Sequence, residues 1–349
     1  MSNGTLRCPV KLTGEQEDQP VLSRSASFDR DSNSWTLSSY GDVHLALNEP
    51  NLQTAGPRGA GALSPQESAE QADVRSRTFA ALSSTKLARW QQEFEPLAET
   101  IVAALPTAGA VDLVGGFLQP WCFELAVRVT EADPADAQRL AALAAQVTAA
   151  TADSDNYDLK APAAIAGKEL DEALRNSSQP MAGSAFVAVS QTIPCLLANA
   201  WLTLLSRPSE MNRLRLSPEL LPRVIEELLR VAGLAKSVHR CATADIAIGD
   251  IRIERGQRVH LMLAEANHDP TPFPRPYDLD FSYRGYSHFA LGAGSHSCAA
   301  AALIRMATGV STKVMVENFE SRASNESIEW MGGSGFRWPA RLYAQRRSK

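Results

Sequence analysis

Cys298 is the residue of this 349-residue chain best placed to do chemistry. It follows Leu291-Gly292-Ala293-Gly294-Ser295-His296-Ser297 and precedes Ala299-Ala300-Ala301-Ala302-Leu303-Ile304-Arg305. Gly292 and Gly294 announce a tight turn, since glycine reaches backbone angles that other residues avoid and lets other groups approach the main chain. The alanine-rich run from Cys298 onward predicts a helix. A thiol where such a turn meets a helix N-terminus faces backbone N–H groups and the positive end of the helix dipole, which favours the thiolate. A thiolate held in this way is a ligand for haem iron. The plain alternative is a small buried apolar residue beside an ordinary turn.

The other cysteines, Cys8, Cys122, Cys195 and Cys241, are far apart and form no Cys-x-x-Cys pair, so neither a zinc knuckle nor a disulfide framework is indicated. The composition is that of a globular chain, 44% hydrophobic and 21% charged, with a formal net charge of −5. The mild acidity and the lack of a basic cluster interleaved with aromatics argue against a nucleic-acid surface. Met1 to Gln19 is polar and has no apolar core, so no secretory signal is expected and the cytoplasm fits best. Ala185 to Leu205 has the length of a membrane span. Ser190, Gln191, Thr192, Pro194 and Asn199 interrupt it, and the better reading is a long buried helix with no membrane span.

Several elements must position the cysteine. Residues 1–33 are polar and predict a flexible arm, Cys8-Pro9 included, and 34–349 predict a single domain. Trp35 to Ser39 reads as a strand and Asp42 to Asn48 as a short helix. Helices are expected over Glu67 to Leu82, Leu87 to Leu105, Asp112 to Val129, Pro134 to Thr151, Ala163 to Leu174 and Ala182 to Leu205. Pro218 to Val231 is amphipathic, with Leu221, Val224, Ile225, Leu228 and Leu229 on one face. Short β runs follow at Ser237 to Cys241, Ile246 to Ile248, Ile251 to Ile253 and Val259 to Leu263. Asp269 to Tyr286 is proline-rich and aperiodic, and strand-like pieces return around Gly332-Gly333. The fold class is mainly α with a small β portion.

The pattern Gly-x-Gly-x-His-x-Cys, then a helix with an arginine, resembles the haem-binding loop of the cytochrome P450 family. The likeness runs from about Trp35 to the C-terminus and is most specific from Glu227 to Arg305. Tyr40-Gly41-Asp42-Val43 resembles the strand-turn-helix opening of bacterial members. Two loop positions depart: Leu291 stands where the family has phenylalanine, and Ala300 where it has glycine. Glu227-Leu228-Leu229-Arg230 resembles the buried Glu-x-x-Arg of the family, although such a pair alone is an ordinary surface pair on many helices. Asp269-Pro270-Thr271-Pro272-Phe273-Pro274-Arg275-Pro276 resembles the meander whose basic residue locks that pair. The basic position falls at Phe281 or Tyr283, depending on the end counted from, and Arg284 is the expected third partner.

The resemblance implies a P450-like fold around haem b, with Cys298 as axial ligand of the iron. It further implies haem contacts from Leu291, Gly292, His296, Arg240, Arg75 and Gln71, the propionates being held by Arg75, Arg240 and His296. For Arg75 and Arg240 a solvated surface charge is the competing reading. On the distal side, Thr192 matches the threonine that helps deliver protons to dioxygen. Gln191 replaces the neighbouring acid and Val189 the glycine. Two polar residues satisfied within their own helix are an equal alternative there. Pro194 must kink that helix. The stretch from Asp153 to Ala182 is short, so the distal roof is expected to be reduced. The implied activity is monooxygenation of a small organic substrate in specialised metabolism, using dioxygen and a ferredoxin-type electron donor, for which Arg77, Lys86 and Arg89 could offer a basic face. A peroxide-using, isomerase or dehydratase relative and a P450-derived accessory protein stand beside it; the lost acid motivates the former and the short roof the latter.

Overall fold

The structure, a computed structural model, describes residues 26–54, 65–153, 156–282, 285, 287–321 and 327–347. Strands β1 (Ala26–Asp29) and β2 (Ser34–Leu37) form an antiparallel hairpin. The expected flexible arm therefore fails over 26–33: β1 pairs its backbone with β2, and the Phe28 ring lies 5.0 Å from that of Trp35. Residues 1–25, with Cys8, lie outside the described residues. Helix α1 (Tyr40–Asn48) starts on a cap, Ser39 Oγ accepting the Asp42 N–H at 3.1 Å. Strand β3 (Leu52–Thr54) follows.

Helices α2 (Pro65–Ala81) and α3 (Ser84–Ala104) come next. Trp90, Phe94, Ala98 and Val102 recur at helical spacing on α3 and bury one face. Strand β4 (Ala110–Asp112) takes Asp112, read as the start of a helix, and a π-turn at Val114–Leu118 leads into α4 (Gln119–Thr130). Glycines 115 and 116 make that wider turn accessible. Helices α5 (Ala137–Ala152) and α6 (Lys160–Ala173) pack together and form the reduced roof. Pro162 does not delay α6, because the first helical turn has no N–H to lose.

The central helix comprises α7 (Ala182–Val187), a π-turn at Ala188–Thr192 and α8 (Ile193–Leu205). Ala182–Leu205 is long and apolar enough to cross a bilayer, but 67% of its apolar window is buried inside the protein. Helix α9 (Pro208–Leu216), unread in the sequence, precedes α10 (Leu221–Ala232). Strands β5 (Val238–Ala242), β6 (Ile246–Ile248), β7 (Ile251–Ile253) and β8 (Arg258–Leu261) lead to the short α11 (Leu263–Ala266). Helix α12 (Ala301–Asn318) and strands β9 (Trp330–Gly332), β10 (Arg337–Pro339) and β11 (Tyr343–Gln345) complete the described chain.

One five-stranded sheet runs β1-β2-β8-β5-β3, with only β2 and β8 parallel. A large apolar cluster unites the helices around Phe117, Trp121 and Trp201. A second underlies the sheet around Leu37, Val43, Val259 and Phe289. A third, smaller one contains Cys195, Leu196, Leu229 and Leu234, and Ala290, Leu291 and Ile304 pack against it. This third cluster couples the central helix to the cysteine loop.

Candidate functional site

The loop before Cys298 turns on two left-handed residues, Gly292 (φ +68°) and Gly294 (φ +62°). At Gly294 a Cβ would lie 2.6 Å from the Leu47 carbonyl oxygen, so a side chain there would drive the loop off α1. The Phe289 N–H donates to Asn267 Oδ1 at 2.7 Å, and the Cys298 N–H to the Leu291 carbonyl at 2.7 Å. Helix α12 begins only at Ala301, later than the alanine run suggested, because Cys298 spends its N–H within the loop. The expected thiolate preference is also corrected. Burial pushes the Cys298 thiol up, outweighing the Ala300 N–H and the charges of Arg75 and Arg305. A coordinated metal cation would reverse that balance.

Two arginines and a histidine converge beside this loop. Arg75 on α2 donates to the Ser297 carbonyl and, at 2.7 Å, to Ser297 Oγ. Arg240 on β5 is only 7% exposed, and its guanidinium donates to the His239 carbonyl at 2.9 Å. Burial lowers the Arg240 pKa, and no charge from a described carboxylate offsets it. His296 is pushed down by burial, then by the positive charges of Arg240 and Arg75. The side chain of Gln71 lies outside the described residues.

Behind the loop, Arg230 and Glu227 form a buried fork with two bonds of 2.8 Å. The other Arg230 donors reach the carbonyls of Asn267 (3.0 Å), Pro276 (2.6 Å) and Asp278 (2.8 Å), which saturates the guanidinium. Glu227 also accepts the Asp280 N–H at 2.9 Å. The meander is thus held by its own main chain. Phe281 fills the core at 0% exposure; Tyr283 and Arg284, the expected third partner, lie outside the described residues.

On the central helix, the π-turn at Ala188–Thr192 ends just before Pro194, so the predicted kink appears as a widened turn. Gln191 faces a cavity of about 420 Å³ between this helix, α4 and α5. Ser190, Pro194, Cys195, Phe123 and Trp338 also line it, no charged side chain among the described residues does, and Thr192 is half-buried outside its wall. Burial pushes the Cys195 thiol up to about 12. Cys195 lies in the third apolar cluster and Trp338 packs against it, so the cavity and the cysteine loop share one set of neighbours.

The sequence reading did not single out Asn267 or Glu226. Glu226 contacts both His288 and Arg305. The adjacent pair Glu226-Glu227 on an amphipathic helix was the available signal, but it does not say where the second carboxylate points.

The fold and site define a mainly helical protein with a glycine-turned thiol loop flanked by two arginines and a histidine. The family described as Cytochrome P450 matches residues 213–332. A putative cytochrome P450 140 of Mycobacterium tuberculosis is 35% identical over 43% of this chain, a match that spans 34% of that protein's own length. Nocardicin C N-oxygenase of Nocardia uniformis subsp. tsuyamanensis is 24% identical over 93% of this chain and 92% of its own. The structure of the cytochrome P450 enzyme CYP109B1 from Bacillus subtilis superposes with a TM-score of 0.78 at 22% identity, covering 93% of this chain and 96% of that one. The match to the cytochrome P450 family lies in residues 213–332, and the members of that family carry haem b. The side chains around the loop suit that group: Cys298 offers a thiol after the glycine turn, and Arg240 is a buried guanidinium with no offsetting carboxylate among the described residues, with Arg75 and His296 nearby, where haem carboxylates would supply the missing anions.

Proposed function

We propose that this chain is a haem-thiolate oxidoreductase of the monooxygenase type. The observation that carries the reading is the convergence of Arg75, Arg240 and His296 beside Cys298 with no offsetting carboxylate at Arg240. Residues 34–349 act as one haem-binding unit in this reading, in the cytoplasm. Cys298 would hold the iron, and Arg75, Arg240 and His296 the carboxylates. When bound, the haem supplies oxidation chemistry using dioxygen and electrons.

The remaining steps belong to this chain's own side chains. Leu291 and Ile304 keep the cysteine side apolar. The uncharged wall around Gln191 suits a neutral, mainly apolar small molecule of specialised metabolism. Gln191 can donate and accept hydrogen bonds but cannot titrate. Thr192 must therefore pass protons through water rather than through a neighbouring acid. A ferredoxin-type protein is the proposed electron donor. Of the cations considered for its face, Arg77 pairs with Asp73 and Arg89 with Glu93, both at 2.9 Å, leaving Lys86 over the Trp90 ring. The missing acid favours, as a second reading, a family enzyme that uses peroxide or rearranges its substrate. The retained thiol loop speaks against an accessory protein without chemistry.

The test is spectroscopic. The ferrous carbon-monoxide complex should show the red-shifted Soret band of thiolate ligation. Cys298→Ala should abolish it, while Cys195→Ala and Cys241→Ala keep it. An unchanged band in Cys298→Ala overturns the proposal.

A further inference from the structure

Glu226 grips both limbs of the cysteine loop. On the limb that leaves, Arg305 of α12 forks onto it, Nε to Oε1 at 2.7 Å and Nη2 to Oε2 at 2.9 Å. On the limb that enters, His288 Nε2 lies 3.1 Å from Oε2. The Ala290 N–H donates to His288 Nδ1 at 3.2 Å, which leaves the ring hydrogen on Nε2 and aims it at Glu226. The His288 side chain is 6% exposed and that of Glu226 44%, so the contact is shielded from water on the histidine side. One residue beyond Ala290, the Leu291 carbonyl receives the Cys298 N–H. Burial alone would raise the Glu226 carboxyl, yet the hydrogen bonds of His288 and Arg305 and the Arg305 charge hold it at about 2. Arg305 is also close enough to Cys298 for each to act on the other's charge.

We infer that Glu226 is a positioning residue for the axial cysteine: it ties His288 to Arg305 across the loop and neutralises the Arg305 charge beside the sulfur. This rests on the haem-thiolate reading. Two consequences follow from charge. Without the carboxylate, the Arg305 cation acts unopposed at the thiolate and favours the reduced, less positive iron. Without the arginine, the Glu226 anion does the reverse. Glu227, its neighbour, plays no part in this, because its oxygens are spent on Arg230 and Asp280.

The experiment measures the midpoint reduction potential of haem-loaded wild type, Glu226→Gln, Arg305→Gln and the double variant. The wild-type carbon-monoxide band is recorded first, so that failure of the haem-thiolate reading shows itself separately. Glu226→Gln should move the potential upward and Arg305→Gln downward. The double variant should return towards wild type, since the two charges act on each other. Raising the salt concentration should shrink both shifts, because the pair is partly exposed. Shifts of the same sign, or none in either single variant, overturn the inference. Should Glu226→Gln fail to hold haem, Glu226→Asp, which keeps the charge, should hold it. Loss of haem from both would reduce Glu226 to a packing role and overturn the inference as well.

Discussion

A guanidinium taken out of water without a carboxylate destabilises the fold that buries it. Arg240 is in that position, and Arg75, which acts with it on His296, has the same sign. In the haem-free protein, Arg240→Gln should therefore melt no lower than wild type. In the haem-loaded protein the same change should weaken haem binding by about tenfold or more, about 1.4 kcal/mol. Haem titration and thermal melts of both forms check this against Arg89→Gln, an exposed control on a surface pair. Equal haem affinity in the two variants would return Arg240 to the status of a surface charge.

Two elements carry predictions of their own. Just before the meander, His268 donates from Nδ1 to the Ala264 carbonyl at 2.7 Å, stacks on Tyr277 at 4.8 Å, and buries Nε2 with no partner among the described residues. Burial, aided by the Arg230 charge, pushes its pKa down to about 4 against the pull of the Ala264 carbonyl and Glu227. The folded state thus binds fewer protons than the unfolded chain below pH ~6.5. Stability from this group is present above ~6.5 and is lost as pH falls towards about 4, a difference of about 3 kcal/mol. Urea midpoints from pH 7 to 4.5 should show the loss, and His268→Phe, which keeps the stack, should remove that share of it. In the central helix, the π-turn presents Gln191 to the cavity. Gln191→Glu adds a titratable group there and should raise product formed per electron donor consumed, or speed peroxide breakdown, provided the new carboxylate stays solvated enough to ionise. Tight coupling in wild type with no change in Gln191→Glu would remove Gln191 from the proton path.

Across the whole molecule, Arg230 fastens α10 to the meander and, through Asn267, to the start of the cysteine loop. Its side chain is 3% exposed and every donor is used. Arg230→Met would leave Glu227 and three carbonyls without their partner, at a cost of about 3–5 kcal/mol. Arg89→Met removes a pair in which the arginine is 78% exposed and should cost under ~1 kcal/mol. Denaturant midpoints compare the two. Arg230 joins the meander to the start of the cysteine loop, so the loss should loosen the loop as well as the meander.

What the sequence determined by itself was local or periodic. Gly292 and Gly294 had to turn the chain, because only glycine enters the left-handed region there without strain. Apolar spacing made α3 and α10 one-faced helices and left α8 buried all round. The residue types of the thiol loop, the Glu-x-x-Arg and the meander were legible for the same reason. The tertiary structure decided whatever depends on distant neighbours. It saturated Arg230 with main-chain carbonyls instead of a basic side chain, since an aperiodic meander gives no periodicity from which to read its path. It gave Ala26–Asp29 a strand, because a polar segment becomes ordered once a partner edge satisfies its backbone. It raised the Cys298 thiol by burial, a term that a helix N-terminus read from sequence does not contain. It also turned Glu226 towards His288 and Arg305, across the joint between two helices that no spacing along the chain could disclose.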